Sequence, residues 1–194
     1  MRKATIRRTT KETDIALTLA LDGEGQVQLD TGIGFFNHML SSIARFAMID
    51  LDVACQGDLE VDGHHTVEDI GICLGQALRE ALGDKKGITR LGHAYVPMDE
   101  ALAFAALDIS ARPYLAWDAA FPTQMVGAFD TQLVCELFRA VATHAGLTLH
   151  LRVLSGSNSH HMIEALCKAF GKALDAAKQQ DARITDVLST KGAL

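Results

Sequence analysis

The chain has 194 residues, 48% of them hydrophobic, with 18 Lys+Arg against 24 Asp+Glu, 16 Gly and 3 Pro. That length suits one domain or two small fused ones, and the apolar fraction is too high for a disordered chain. A net charge of -6 argues against a broad basic face for nucleic acid. No run of about 18 apolar residues could span a bilayer, and Met1-Arg2-Lys3-Ala4-Thr5 turns polar at once, unlike a signal peptide. A cytoplasmic protein with neither a nucleic-acid nor a membrane partner is expected. The cysteines, Cys55, Cys73, Cys135 and Cys167, have neither CxxC nor zinc-finger spacing and read as free, mostly buried thiols.

In chain order, Ile15 to Leu21 and Gly25 to Leu29 alternate on either side of Asp22-Gly23-Glu24-Gly25, which predicts a hairpin. Residues 35–47 carry helical spacing through Phe36, Met39, Leu40, Ile43 and Phe46. Asp50 to Cys55 reads as a strand. Residues 64–82 form a helix with Val67, Ile70, Leu74, Ala77, Leu78 and Leu82 on one face, stopped by Gly83. Leu102 to Ile109 and Arg112 to Trp117 read as strands around a turn, 130–145 as a helix, Leu147 to Val153 as a strand and 160–178 as the last helix. The tail around Ser189-Thr190-Lys191-Gly192 has no periodicity, so it is frayed or held by a ligand.

The chain says nearly the same thing twice. His64-His65-Thr-Val-Glu68 falls on His160-His161-Met-Ile-Glu164 at an offset of 96 residues, and the match runs on through Gly75 on Gly171 and Leu78 on Leu174. Upstream, Gly34 to Leu40 matches Gly127 to Leu133 only loosely. Two copies are too few for a solenoid. The expectation is a duplicated α+β unit, residues 1–90 and 91–194, forming one compact domain around a pseudo-twofold axis.

Chemistry follows from helix geometry. At 3.6 residues per turn His64 and Glu68 share a face, while His65 points about 100° away. One metal cannot easily take both neighbouring imidazoles, so each motif is expected to serve two sites and the pair of motifs to hold two ions. Asp62-Gly63 and Asn158-Ser159 cap these helix starts, where the dipole favours neutral imidazole, the metal-binding form. Donors without cysteine leave Mn, Fe, Zn, Co or Ni open. Further ligands must come from elsewhere: His38 stands 26 residues before His64 and Glu136 24 residues before His160. His93, His144 and His150 follow no repeat logic.

The segments Asp30-Thr-Gly-Ile-Gly-Phe-Phe-Asn-His38-Met-Leu, Asp62-Gly-His-His-Thr-Val-Glu-Asp69 and Gly156-Ser-Asn-Ser-His-His-Met-Ile-Glu164-Ala resemble the imidazoleglycerol-phosphate dehydratase family. So do Met98-Asp-Glu-Ala101, Asp108-Ile-Ser-Ala-Arg-Pro113 and Ser189-Thr-Lys-Gly192. The resemblance implies a lyase of histidine biosynthesis that converts imidazole glycerol phosphate to imidazole acetol phosphate. It also implies a ribosomal protein S5 domain 2-like fold, with two β-sheets and helices packed between them, two Mn2+ ions, and a homo-24-mer built from trimers with active sites between subunits. Carried over by position, one ion would take His38, His65, His160 and Glu164, and the other His64, Glu68, His161 and residue 136. Many relatives have His at that last place; this chain has Glu136. Many also have Gly where this chain has Ala111. Glu12 matches the acid/base position, while Arg90, Arg112, Lys168 and Lys191, with the Ser189 hydroxyl, match the phosphate side. In the implied chemistry, two Lewis-acidic ions stabilise an imidazolate form of the substrate that pushes out the hydroxyl.

Two other readings of the same histidines are a dinuclear metallohydrolase and a metal-storage or metal-sensing protein without a reaction. The first predicts phosphatase or peptidase turnover; the second predicts that Arg112 and Lys191 are dispensable.

Overall fold

The computed structural model describes residues 2–194. Each half supplies a four-stranded sheet and two helices. The first comprises β1 (Lys3–Thr9), β2 (Thr13–Ala20), β3 (Val27–Asp30), α1 (Gly34–Ala47), β4 (Asp50–Gly57) and α2 (His64–Leu82). The second comprises β5 (Leu91–Met98), β6 (Ala101–Asp108), β7 (Tyr114–Asp118), the short hairpin β8 (Met125–Val126) and β9 (Phe129–Asp130), α3 (Leu133–Ala145), β10 (Thr148–Ser155) and α4 (Ser159–Lys178). The sheets have the same topology, β1-β2-β4-β3 and β5-β6-β10-β7.

The period-2 pattern of β2 buries Ile15, Leu17 and Leu19, and that of β6 buries Ala103, Ala105 and Leu107. Against these inner faces lie the helices. They pair across the repeat boundary, α2 on α3 and α1 on α4, so both halves share one core. Two glycines set the approach. A Cβ on Gly75 would lie 2.8 Å from the His144 Cβ and 2.9 Å from the Val141 carbonyl oxygen; one on Gly171 would lie 2.9 Å from both the Phe46 Cβ and the Ile43 carbonyl oxygen. The matched glycines of the repeat are therefore places where helix backbones touch, as is Gly71, whose Cβ would lie 3.0 Å from the Leu137 carbonyl oxygen.

Both predicted hairpins are corrected. β2 pairs antiparallel with β1 and β4, while β3 lies on the far side of β4 and parallel to it. The turn fails to close because Asp50 accepts hydrogen bonds from the Glu24 and Gln26 amides, both 2.9 Å, and draws that segment over to β4. Likewise β7 runs parallel to β10 instead of pairing with β6. There the Thr148 hydroxyl donates to the Arg112 carbonyl at 3.0 Å, and the Tyr114 amide donates to the Leu147 carbonyl at 2.9 Å.

Matching register positions, Ala20 with Asp108 and Asp50 with Thr148, show the offset growing from 88 to 98 residues between β7 and α3, where β8 and β9 are inserted. This insertion explains the loose match of residues 34–40 with 127–133: α3 begins only at Leu133. Both α1 and α3 end on a left-handed residue, Met48 and Gly146, and ten residues before each cap stand His38 and Glu136. No helix among the described residues is long and apolar enough to cross a membrane. All four cysteines are free; Cys73 and Cys167 are buried, and Cys55 and Cys135 partly so.

Candidate metal centre

The N-terminal turns of α2 and α4 present the paired histidines. Asn158 caps α4 by accepting from the His160 and His161 amides. At α2 the cap residue, Gly63, has no side chain, and Asp62 accepts from the His64 amide at 2.7 Å. Neighbouring rings diverge as helix geometry requires: His64 and His65 lie edge-on at 79°, His160 and His161 at 85°.

Where α1 meets α4, His38, His160 and Glu164 bring donor atoms within 4.8 Å of one another. The Glu164 Oε2 lies 2.9 Å from the His38 Nε2 and 3.2 Å from the His160 Nε2, and its Oε1 accepts from the Lys168 Nζ at 2.8 Å. Burial alone would raise the Glu164 carboxyl, but Lys168 and His38 outweigh it and hold the group down to about 2. It is an anion, half surrounded by imidazoles, and two imidazole nitrogens with one carboxylate oxygen suit a borderline divalent cation. Phe35 closes one side, its ring centroid 5.0 Å from that of His160 and 5.5 Å from that of Phe129 on the insertion.

The equivalent place, where α3 meets α2, is looser. The His64 Nε2 is 3.8 Å from the Glu68 carboxylate. Glu136 faces Arg139, whose guanidinium donates to both carboxylate oxygens at 2.6 Å. His64 and Glu136 do share the lining of a cavity of about 630 Å³, together with Phe129 and Leu133.

The second histidine of each motif is held from behind. The His65 Nδ1 donates to Asp58 at 2.9 Å, and the His161 Nδ1 donates to Glu100 at 2.9 Å. These bonds raise both imidazoles above their usual range, while His161 and the Ser157 and Asn158 amides lower Glu100 to about 2. Glu12 lies in the turn between β1 and β2, with its carboxylate 3.8 Å from the His65 Nε2. That turn is pinned to α2: Asp69 accepts from the Arg8 Nε at 2.9 Å and from the Thr13 hydroxyl at 2.6 Å. Thr10 accepts from the Glu12 amide, and the Glu12 carbonyl accepts from the Asp58 amide.

The expected phosphate-side residues do not form one group. Lys168 belongs to the Glu164 cluster, eight residues along α4 from His160. Arg90 and Arg112 both approach Asp108. Arg90 spends its Nε and one terminal nitrogen on that carboxylate, at 2.6 and 2.9 Å, and the other on the Leu188 carbonyl at 2.7 Å, which fixes the tail carrying Ser189 and Lys191. Arg112 is mostly exposed, with one terminal nitrogen 3.6 Å from the Asp108 carboxylate and the rest of the guanidinium open to an anion. Arg90 precedes β5 and Glu100 follows it, so the strand's eight residues separate the two ends by about 25 Å. The helix gives the same span: the Arg90 amide donates to the Ala177 carbonyl, about 25 Å along α4 from His160.

Sequence reasoning missed Asp58, Glu100, Asp69 and Arg139. Arg139 had a local signal, three residues after Glu136 on a helix. Glu100 and Asp69 lay within segments that carry the family resemblance, but the spacing showed no role for them or for Asp58, because their partners are distant in the chain or lie across a turn.

With this geometry in hand, similarity to known proteins is specific. The family model described as imidazoleglycerol-phosphate dehydratase matches residues 31–174. A protein of that name from Desulfitobacterium hafniense (strain Y51) is 56% identical over 194 residues, covering 100% of this chain and 99% of that protein. Another, from Symbiobacterium thermophilum, is 60% identical over 189 residues, covering 97% and 91%. The solved Staphylococcus aureus imidazoleglycerol-phosphate dehydratase superimposes with a TM-score of 0.85 at 42% identity, covering 92% of this chain and 99% of the other. The Pyrococcus furiosus structure, in complex with (S)-C348, gives 0.83 at 38%, covering 97% and 100%. Fold and full-length likeness together define a lyase, a dehydratase of amino-acid biosynthesis. The chain belongs to the imidazoleglycerol-phosphate dehydratase family, whose place is in histidine biosynthesis.

Proposed function

We propose that the chain removes water from imidazole glycerol phosphate to give imidazole acetol phosphate, using two divalent ions, with Mn2+ the expected metal. The observation that carries this reading is the convergence of His38, His160 and Glu164 on one point from two helices. By family position His65 would complete that site and His64, Glu68, His161 and Glu136 would hold the other ion; among the described residues of one chain, the donor cluster within 4.8 Å is His38, His160 and Glu164. When bound, the ions supply Lewis acidity that lowers the cost of an imidazolate form of the substrate.

The chain's own residues do the rest. Glu12, exposed and held by its turn beside His65, carries the carbon-bound proton. Arg112 and Lys191 face the phosphate with the Ser189 hydroxyl, and Arg90 keeps the tail in place for them.

A substrate of this size cannot bridge about 25 Å. The histidine end of one copy must therefore work with the arginine end of another, which supports self-association. The outer face of the second sheet is suited to a contact, with Leu91, Tyr95 and Tyr114 each at least 60% exposed. A homo-24-mer of trimers is the expected state, by family resemblance.

The test is to strip the protein of metal, add Mn(II), and assay formation of the enolisable ketone from imidazole glycerol phosphate. Light scattering on the same sample reads the assembly. A correctly folded protein that stays inactive across Mn, Zn, Fe, Co and Ni overturns the proposal, and phosphate release in its place would mean a hydrolase.

A further inference from the structure

After the duplication, the same task came to be done by different residues. In both halves the second histidine of the motif has its Nδ1 bonded to a carboxylate at 2.9 Å, while its Nε2 makes no hydrogen bond and has a carboxylate no nearer than 3.8 Å. These carboxylates do not occupy equivalent positions. Asp58 is the residue after β4; the residue after β10 is Gly156, which has no side chain. Glu100 lies in the turn between β5 and β6, and the matching residue of the turn between β1 and β2 is Glu12. Glu12 does not bind Nδ1. It sits toward the Nε2 edge of His65, 3.8 Å away, while Asp58 holds the opposite edge.

We propose that Asp58 and Glu100 are positioning residues that fix His65 and His161 as Nδ1–H tautomers with Nε2 presented to metal, and that Asp58, by taking this task in the first half, releases Glu12 from it. An imidazole can rotate about its side-chain bonds and switch tautomer. A carboxylate behind Nδ1 removes both freedoms before the ion arrives and makes the Nε2 lone pair a stronger donor. The links between the segments fit this division. The Asp58 amide donates to the Glu12 carbonyl at 3.1 Å, which ties the segment of the orienting carboxylate to that of the freed one. In the second half Glu100 is the orienting carboxylate, accepting from His161, from the Ser157 and Asn158 amides and, through its carbonyl, from the Ser155 hydroxyl, while its neighbour Asp99 lies 3.8 Å from the His161 Nε2.

The inference rests on the metal-centre reading above. The experiment titrates Mn(II) into metal-free full-length protein and follows the free-ion EPR signal. Asp58→Asn and Glu100→Gln, which take the charge from the Nδ1 partner, should each weaken binding of one ion per chain by about 10- to 100-fold, the usual effect of mutating such a partner, while saturating stoichiometry stays at the parental value. Glu100→Gln also slackens the start of α4, so Asp58→Asn is the deciding variant. Parental affinity in Asp58→Asn overturns the proposal. So does a loss of affinity matched by loss of metal-free far-UV circular dichroism, which would make Asp58 merely structural. His65→Ala separates the two readings: if it binds every ion with parental affinity, the metal assignment fails. If it loses an ion while Asp58→Asn does not, only the positioning role fails.

Discussion

At the mouth formed by α1 and α4, Glu164 is buried, its oxygens touching His38, His160 and Lys168. At the mouth formed by α3 and α2, the residue in the place of His38 is Glu136, and Arg139 occupies both its oxygens. The sheets behind these mouths diverge in the same way. One register row on the outer face of the first sheet reads Thr5, Thr18, Asp52 and Gln28, and the matching row of the second reads His93, Ala106, His150 and Ala116. Duplication preserved topology, helix packing and the glycines at the helix crossings, because those are fixed by backbone contact. Surface side chains, free of that constraint, specialised.

The largest expected effect tests whether the mouths are unequal. His160→Ala should cost about one ion per chain and bring turnover below detection. Glu136→Gln should cost only about tenfold in affinity for one ion, since its carboxylate starts out shared with Arg139. Metal analysis and steady-state assays on the two variants check this, and equal losses would erase the distinction.

The second test compares the matched turns. Glu12→Gln should leave Mn(II) binding intact while turnover falls by about 10²-fold or more, the scale of acid–base catalysis. A Glu12→Gln enzyme that turns over at the parental rate would remove Glu12 from the reaction. A smaller effect is expected from Arg139→Met, which frees Glu136. An exposed ion pair is worth up to about 1 kcal/mol, so affinity for the second ion should rise by no more than about fivefold in a Mn(II) titration. Unchanged affinity would mean that Arg139 does not compete with metal.

The smallest effect lies in the second half alone. Ala111 sits at φ +56°, in the left-handed region that favours glycine. An alanine there thus carries a conformational cost just before Arg112. Ala111→Gly should stabilise the protein by about 1 kcal/mol, read as a higher thermal midpoint, offset in part by the extra freedom of glycine when unfolded.

Much of this was legible in the sequence. The boundaries of α2 stood out because apolar spacing, a polar start and Gly83 all agree. The pairing of His38 with Glu136 emerged from distances to the motifs and agrees with their places before the two left-handed caps. β1 was hidden because only Ala4 and Ile6 are buried along it, and β5 because its inward positions are Gly92, Ala94, Val96 and Met98 with a proline between the last two. The strand order could not be read because Asp22 to Gly25 has good hairpin composition, and only Asp50, far along the chain, diverts it. Asp58 and Glu100 escaped for the same reason: an orienting carboxylate needs proximity in space, and Glu100 is 61 residues from its histidine.

The distance of about 25 Å between the histidine and arginine ends of α4 has a genetic consequence. If each reaction centre draws those ends from different copies, as we propose, two inactive alleles damaged at opposite ends complement one another. Co-expressed His160→Ala and Arg112→Ala chains would regain a fraction of parental turnover, because some centres pair one chain's sound mouth with the other's sound cation. Two alleles damaged at the same end would stay silent together.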